Sequence, residues 1–123
     1  MSSLKPKTVL KVYGIKNCDT MKKTFRLLEE NDVAYEFIDY KKNPPSEELI
    51  NGFLDSIALE KVVNKRGTTF RKLSEEEKVH LEDAKTAVPL LASHSSMIKR
   101  PLIVYPSGMI SVGLDPEVIL QSK

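Results

Sequence analysis

The sequence is poor in the groups that several kinds of chemistry require. A single cysteine, Cys18, in 123 residues rules out an intramolecular disulfide and any metal cluster built from cysteines. No apolar run approaches the roughly 20 residues that cross a bilayer. The opening stretch, MSSLKPKTVLKVYG, lacks the apolar centre and small-residue cleavage site of a secretory signal. An excess of one charge is also missing. Nineteen Lys and Arg against 17 Asp and Glu leave +2, too even for a surface that tracks a nucleic-acid backbone. There is no glycine-rich phosphate loop, internal repeat or low-complexity tract. His80 and His94 stand apart with no partner in a ligand pattern, and both read as surface or helix-end residues. The expectation is a cytoplasmic monomer with no membrane or nucleic-acid partner, no metal and no bound cofactor.

What is present reads as a globular chain, 41% hydrophobic and 29% charged, long enough to bury a core without staples. TVLKVYG (8–14) is a β-branched run ended by glycine and predicts a buried strand. From Cys18 to Glu30, the residues Met21, Phe25 and Leu28 recur at i, i+4 and i+7, with Leu27 widening the stripe, which predicts a helix. VAYEFIDY (33–40) predicts a second strand. After the NPPS break, Ser46 ahead of Glu47 and Glu48 opens a second helix, with a stripe of Leu49, Ile50, Phe53, Leu54 and Ile57. The order β-α-β-α favours a parallel pair joined by a right-handed crossover.

The second half changes character. NKRGTTFRKL (64–73) is polar, basic and turn-bearing at Gly67. Ser74 and Glu77 form a capping-box pattern for a short helix to about Glu82. TAVPLLASH reads as another, with Thr86 as cap and Pro89 in its first turn, where the missing N–H costs little. PLIVY and MISVG flank PSG, a three-residue hairpin signal, and Asp115 followed by Pro116 opens a last helix over 116–120. The simplest solution is an α/β protein with a mixed four-stranded sheet.

Free cysteines are among the most buried residues, and in mid-strand or mid-helix they are ordinary packing groups. Cys18 is in neither place. It follows the strand-ending Gly14 and a polar Lys16–Asn17 pair, at or just before the first turn of the helix. There, unpaired N–H groups and the positive end of the helix dipole favour an anion. A thiolate is such an anion, and this placement lowers a cysteine pKa below its free value of about 8.5. Lys16, Lys22 and Lys23 add positive potential, and Asp19 opposes them slightly. A thiolate that forms a covalent adduct must then be released. In a C-x-x-C protein the second cysteine does this, but here that position is Met21. The resolving thiol must come from outside, as glutathione, a glutaredoxin-like protein or another protein thiol.

Taken together, YGIKNCDTMKK (13–23), NKRGTTFRKL (64–73) and MIKRPLIVYPSG (97–108) resemble the arsenate reductase-related (ArsC/Spx) family, most closely its YffB-type branch, over about Val9 to Leu120. The resemblance implies a single thioredoxin-like domain with a small helical insertion at about 60–95. It also implies that Cys18 is the nucleophile, that Arg100 binds the oxyanion or anionic thiol beside it, and that Pro101 is cis, bringing a backbone edge across from the cysteine. A forked, always-charged guanidinium suits that task. Asn17, Thr20 and Arg66 join Arg100 and Pro101 as candidates for substrate or thiol binding. Arsenate reductases proper carry three arginines around the cysteine. Of these only Arg100 is retained, the other positions falling on Asn64 and Gly113, and their nearby histidine falls on Gly14. Arg66 could substitute if its loop turns inward, and Arg71 and Lys72 could recruit an acidic partner or a glutathione carboxylate.

The leading expectation is a glutathione-dependent thiol oxidoreductase, arsenate reductase-like, with glutathione as co-substrate and glutathione or a glutaredoxin-like protein as partner. The alternative is an Spx-like regulatory module acting on RNA polymerase, which the missing second cysteine disfavours. A third is a thioredoxin-like scaffold with a vestigial thiol.

Overall fold

The computed structural model describes residues 9–123. They fall into two compact units, one made of residues 9–39 and 100–123 and the other of Tyr40–Lys99. Thr8, expected to start the first strand, lies outside the described residues.

The first unit is built on one sheet of four strands, β1 (Leu10–Gly14), β2 (Tyr35–Asp39), β3 (Leu102–Val104) and β4 (Ile110–Val112), in the order β2-β1-β3-β4. The strands β1 and β2 are parallel, with Leu10 opposite Tyr35 and Gly14 opposite Asp39. Helix α1 (Asp19–Glu30) connects them. Strand β3 runs antiparallel to both β1 and β4, which makes the sheet mixed and the fold thioredoxin-like α/β. Alternation along β1 puts Leu10, Val12 and Gly14 on one face, all buried, while Lys11 is exposed. That face packs with Met21 and Leu28 of α1, Ile103 of β3, and Ile119 of helix α7 (Pro116–Ser122).

Several ends differ from the expected ones for local reasons. Val33 is not in β2, because its N–H donates to the Leu28 carbonyl at 2.9 Å while Asp32, at φ 54°, donates to Glu29. This closes α1 as a Schellman-type turn. The β3–β4 hairpin has the expected three-residue loop. Gly108, at φ 95°, donates to the Tyr105 carbonyl at 2.8 Å, and Tyr105 donates to Met109 at 2.9 Å. Asp115 caps α7 by accepting from the Val118 N–H, and the helix runs two residues beyond the expected Leu120.

The second unit is helical. Helix α2 (Glu47–Leu54) starts where Ser46 Oγ accepts from the Leu49 N–H, and it buries Ile50 and Phe53. It ends before Ile57, which therefore lies beyond the stripe it was expected to extend. Two one-turn helices, α3 (Leu59–Val62) and α4 (Thr68–Arg71), were not legible as periodic patterns. The second of them replaces part of the expected polar loop and begins after Gly67. Helix α5 (Glu75–His80) carries both halves of the capping box, with Glu77 N–H to Ser74 Oγ at 3.1 Å and Ser74 N–H to Glu77 Oε1 at 3.0 Å. Helix α6 (Ala84–Ser93) corrects the sequence reading: its cap is Asp83, not Thr86, and Pro89 is an interior residue. The Thr86 hydroxyl is turned back, donating to the carbonyls of His80 and Asp83. Pro89 withholds a hydrogen bond from Lys85, which is exposed and so can be satisfied by water. Helices α2 and α6 pack on each other. Among the described residues no helix is long and apolar enough to cross a membrane.

Candidate active site

The chemistry of the first unit gathers where β1 hands over to α1. Gly14 ends the strand, residues 15–17 turn, and Cys18 occupies the N-cap of α1 with extended dihedrals, φ −150° and ψ 129°. Its carbonyl already accepts from the Lys22 N–H at 3.0 Å, so the backbone enters the helix through the cysteine itself. Cys18 is half-buried, with one side against the core cluster.

Burial pushes the Cys18 thiol up, as it does for any group that ionises to an anion. That push is outweighed. The backbone N–H groups of Met21 and Thr20 bear on the sulfur, and the Arg100 guanidinium adds both its charge and a hydrogen bond, so the thiol ionises below its ordinary value. The Thr20 and Met21 N–H groups lie in the first turn of α1, where backbone donors have no intrahelical partner, so they are available to stabilise the anion.

The candidate residues fall into distinct places. Arg100 is half-buried and immediately precedes Pro101, which is buried and joined to it by a cis peptide bond. The Pro101 carbonyl accepts from the Gly113 N–H at 2.8 Å. Gly113 sits at φ 88°, a backbone region that suits glycine and penalises an arginine at the same position. Thr20 is half-buried, contributes its N–H to the sulfur, and accepts the buried Thr24 hydroxyl on its carbonyl at 2.8 Å. Asn17 is exposed in the turn, with no side-chain partner among the described residues. Arg66 belongs to the other unit, where its N–H donates to Asn64 Oδ1 at 3.2 Å. His80 and His94 are exposed, the first ending α5 and the second capping α6. Among the described residues no group of three or more His, Cys, Asp or Glu could hold a metal ion.

Sequence reasoning overlooked Met21 as more than a core residue. It is fully buried, and its N–H is the foremost group lowering the Cys18 pKa. Its thioether lies over Gly14, so that a Cβ built on that glycine would come within 2.7 Å of Sδ and Cε. The signal was available, since the third residue after an N-cap is where a capping group meets a backbone N–H.

The pattern of the ArsC family matches residues 13–122. The chain is 36% identical over 96 residues to an uncharacterised protein of Haemophilus influenzae, covering 78% of this chain and 83% of that one. It is similar to a solved YffB protein, with a TM-score of 0.84 and 39% identity over 92% of this chain and 97% of the other. It is also similar to an arsenate reductase-related protein from Brucella melitensis, with a TM-score of 0.75 and 38% identity over 95% and 96% of the two chains.

Proposed function

We propose, for a chain that belongs to the ArsC family and has its arsenate reductase-like fold, that Cys18 is the nucleophile of a glutathione-dependent thiol oxidoreductase. The observation that carries this reading is the placement of Cys18 at the start of α1, under two backbone N–H groups and the Arg100 guanidinium, which lowers the pKa of its thiol. The thiolate attacks one sulfur of oxidised glutathione. A bond forms between Cys18 Sγ and that sulfur, the glutathione disulfide breaks, and one glutathione thiolate leaves. A second thiolate, from a glutaredoxin-like protein or another protein thiol, then attacks the glutathione sulfur of the mixed disulfide. A new disulfide forms between that thiol and glutathione, the bond to Cys18 breaks, and Cys18 leaves as thiolate, whereas attack by glutathione itself only regenerates oxidised glutathione. No second cysteine exists in the chain, so the return step belongs to the outside thiol.

Arg100 acts in both halves. It stabilises the Cys18 thiolate before attack, and its fork is suited to a carboxylate of the peptide that replaces that charge. Thr20 and Met21 supply N–H groups to the same sulfur. Arsenate is a poorer fit, because a multiply charged oxyanion needs several fixed cations, and the positions of the other two arginines hold Asn64 and Gly113.

Alkylation of Cys18 as a function of pH, with mass analysis after exposure to oxidised glutathione, tests the proposal. The expected result is half-maximal alkylation below the free-cysteine value of about 8.5 and a single glutathione adduct that Cys18→Ser abolishes. A thiol that alkylates like free cysteine, or reductase turnover that survives Cys18→Ser, overturns it.

A further inference from the structure

A second charged feature lies wholly within the helical unit. Residues 62–64 and 97–99 run antiparallel and are joined by a bridge between Val63 and Ile98. The Asn64 N–H donates to Met97 and the Lys99 N–H to Val62, both at 2.7 Å. Val62, Val63, Met97 and Ile98 are buried, so the bridge and its two hydrogen bonds are anchored on apolar side chains within the protein. The loop that follows is folded onto Asn64. Its Oδ1 accepts from the Arg66 N–H, and its Nδ2 would stand 3.2 Å from a Cβ on Gly67.

This arrangement holds Lys65, Arg66 and Lys99 around one depression of about 520 Å³, lined also by Glu60, Val63 and Asn64. That size is within the roughly 300–1,000 Å³ of ligand clefts. The three cations are exposed, and among the described residues none has an ion-pair partner. Three cations and one carboxylate leave the lining with two net positive charges, as many as the whole chain carries, so the remainder of the sequence balances to zero. The cleft is therefore a local excess of positive charge on a chain whose other charges balance.

We propose that this cleft is a docking site for an acidic segment of another protein. Lys65, Arg66 and Lys99 meet Asp or Glu side chains of that segment, while Glu60 and the Asn64 amide meet its main-chain N–H and C=O groups. A nucleic acid fits less well. Glu60 repels phosphate, the lining offers no aromatic ring for a base, and the whole-chain charge is too small for binding driven by counterion release. The proposal concerns this unit alone and holds whether or not Cys18 reacts.

A fluorescein-labelled pentaglutamate peptide, followed by anisotropy at low salt, reads the site directly. The wild-type protein is expected to bind it. Lys65→Glu, Arg66→Glu and Lys99→Glu together are expected to weaken binding by about tenfold or more, since each exposed pair contributes modestly. The charge-matched control Arg26→Glu, Lys42→Glu and Lys85→Glu, three exposed cations outside the cleft lining, should weaken it by less than about threefold. Circular dichroism identifies variants that remain folded, and Lys99→Gln alone gives a milder second variant with an intermediate loss. Absence of binding by the wild type, or equal losses in the two triple variants, overturns the proposal. So does displacement of the peptide by S-methylglutathione or a single-stranded oligonucleotide as readily as by unlabelled peptide.

Discussion

Gly14→Ala is the sharpest probe of how the sheet holds the reactive turn. Gly14 shares a buried strand face with Leu10 and Val12, and Met21 fills the space its missing side chain leaves. A Cβ there would lie 2.7 Å from Met21 Sδ and Cε, whereas nonbonded atoms attract best at about 3.5–4.0 Å. The thioether must therefore move by about 1 Å, and with Met21 fully buried it moves against packed neighbours. Overpacking of this kind costs about 1–3 kcal/mol. Removing a glycine from the unfolded chain returns about 0.4–1 kcal/mol. The expected net loss is about 1–2 kcal/mol, or about 4–8 °C in Tm for a chain of this size. Urea and thermal denaturation of Gly14→Ala, Met21→Ala and the double variant measure it. Met21→Ala alone should cost about 2–5 kcal/mol. In its background Gly14→Ala should cost nothing or stabilise, a coupling of about 1–3 kcal/mol. Additive losses would refute the argument, because the alanine would then not be felt through the thioether.

Arg100→Ala should raise the pH midpoint of Cys18 alkylation, since it removes a cation and a hydrogen bond from the thiolate; an unmoved midpoint would remove Arg100 from the site. Because the folded pKa of Cys18 is depressed, its thiolate stabilises the fold above the free value of about 8.5, and that contribution is lost as pH falls through the folded value. The stability gap between wild type and Cys18→Ser should accordingly widen with rising pH across that window in denaturant melts. Tyr35 is pushed up to about 12 by burial and by donating to Glu29 Oε2 at 2.8 Å. Ultraviolet titration should find it neutral when free tyrosine has ionised, and Glu29→Gln should bring it down. The Tyr35 contribution is present below about pH 10 and disappears as pH rises through the folded value. Ser74→Ala breaks both hydrogen bonds of the Ser74 side chain with Glu77 and should cost about 0.5–2 kcal/mol in a urea melt.

The elements read correctly from sequence are those whose signal is local. Ser46, Ser74 and Asp115 each accept a backbone N–H where a helix must start, and Gly108 takes the positive φ of a three-residue hairpin. These depend on a few adjacent residues. The misreadings came where one-turn segments have no period to detect, as in α3 and α4, or where two caps competed. Thr86 and Asp83 are both good caps, and only the folded chain shows the Thr86 hydroxyl spent on the carbonyls of His80 and Asp83.

The sequence by itself determined that one cysteine starts α1, that no second thiol of the chain can resolve it, and that β1, α1, β2 and α2 follow in that order. Those follow from residue identity, spacing and backbone chemistry. Composition and spacing did not say which cation faces the sulfur; the family resemblance named Arg100, and the tertiary structure shows how it gets there. Arg100 is 82 positions from Cys18, and it arrives only because β3 lies antiparallel against β1. The same pairing of distant segments gathers Lys99 with Lys65 and Arg66. Electrostatics depends on distance in space, and distance in space is what a linear sequence does not state until its hydrogen bonds are made.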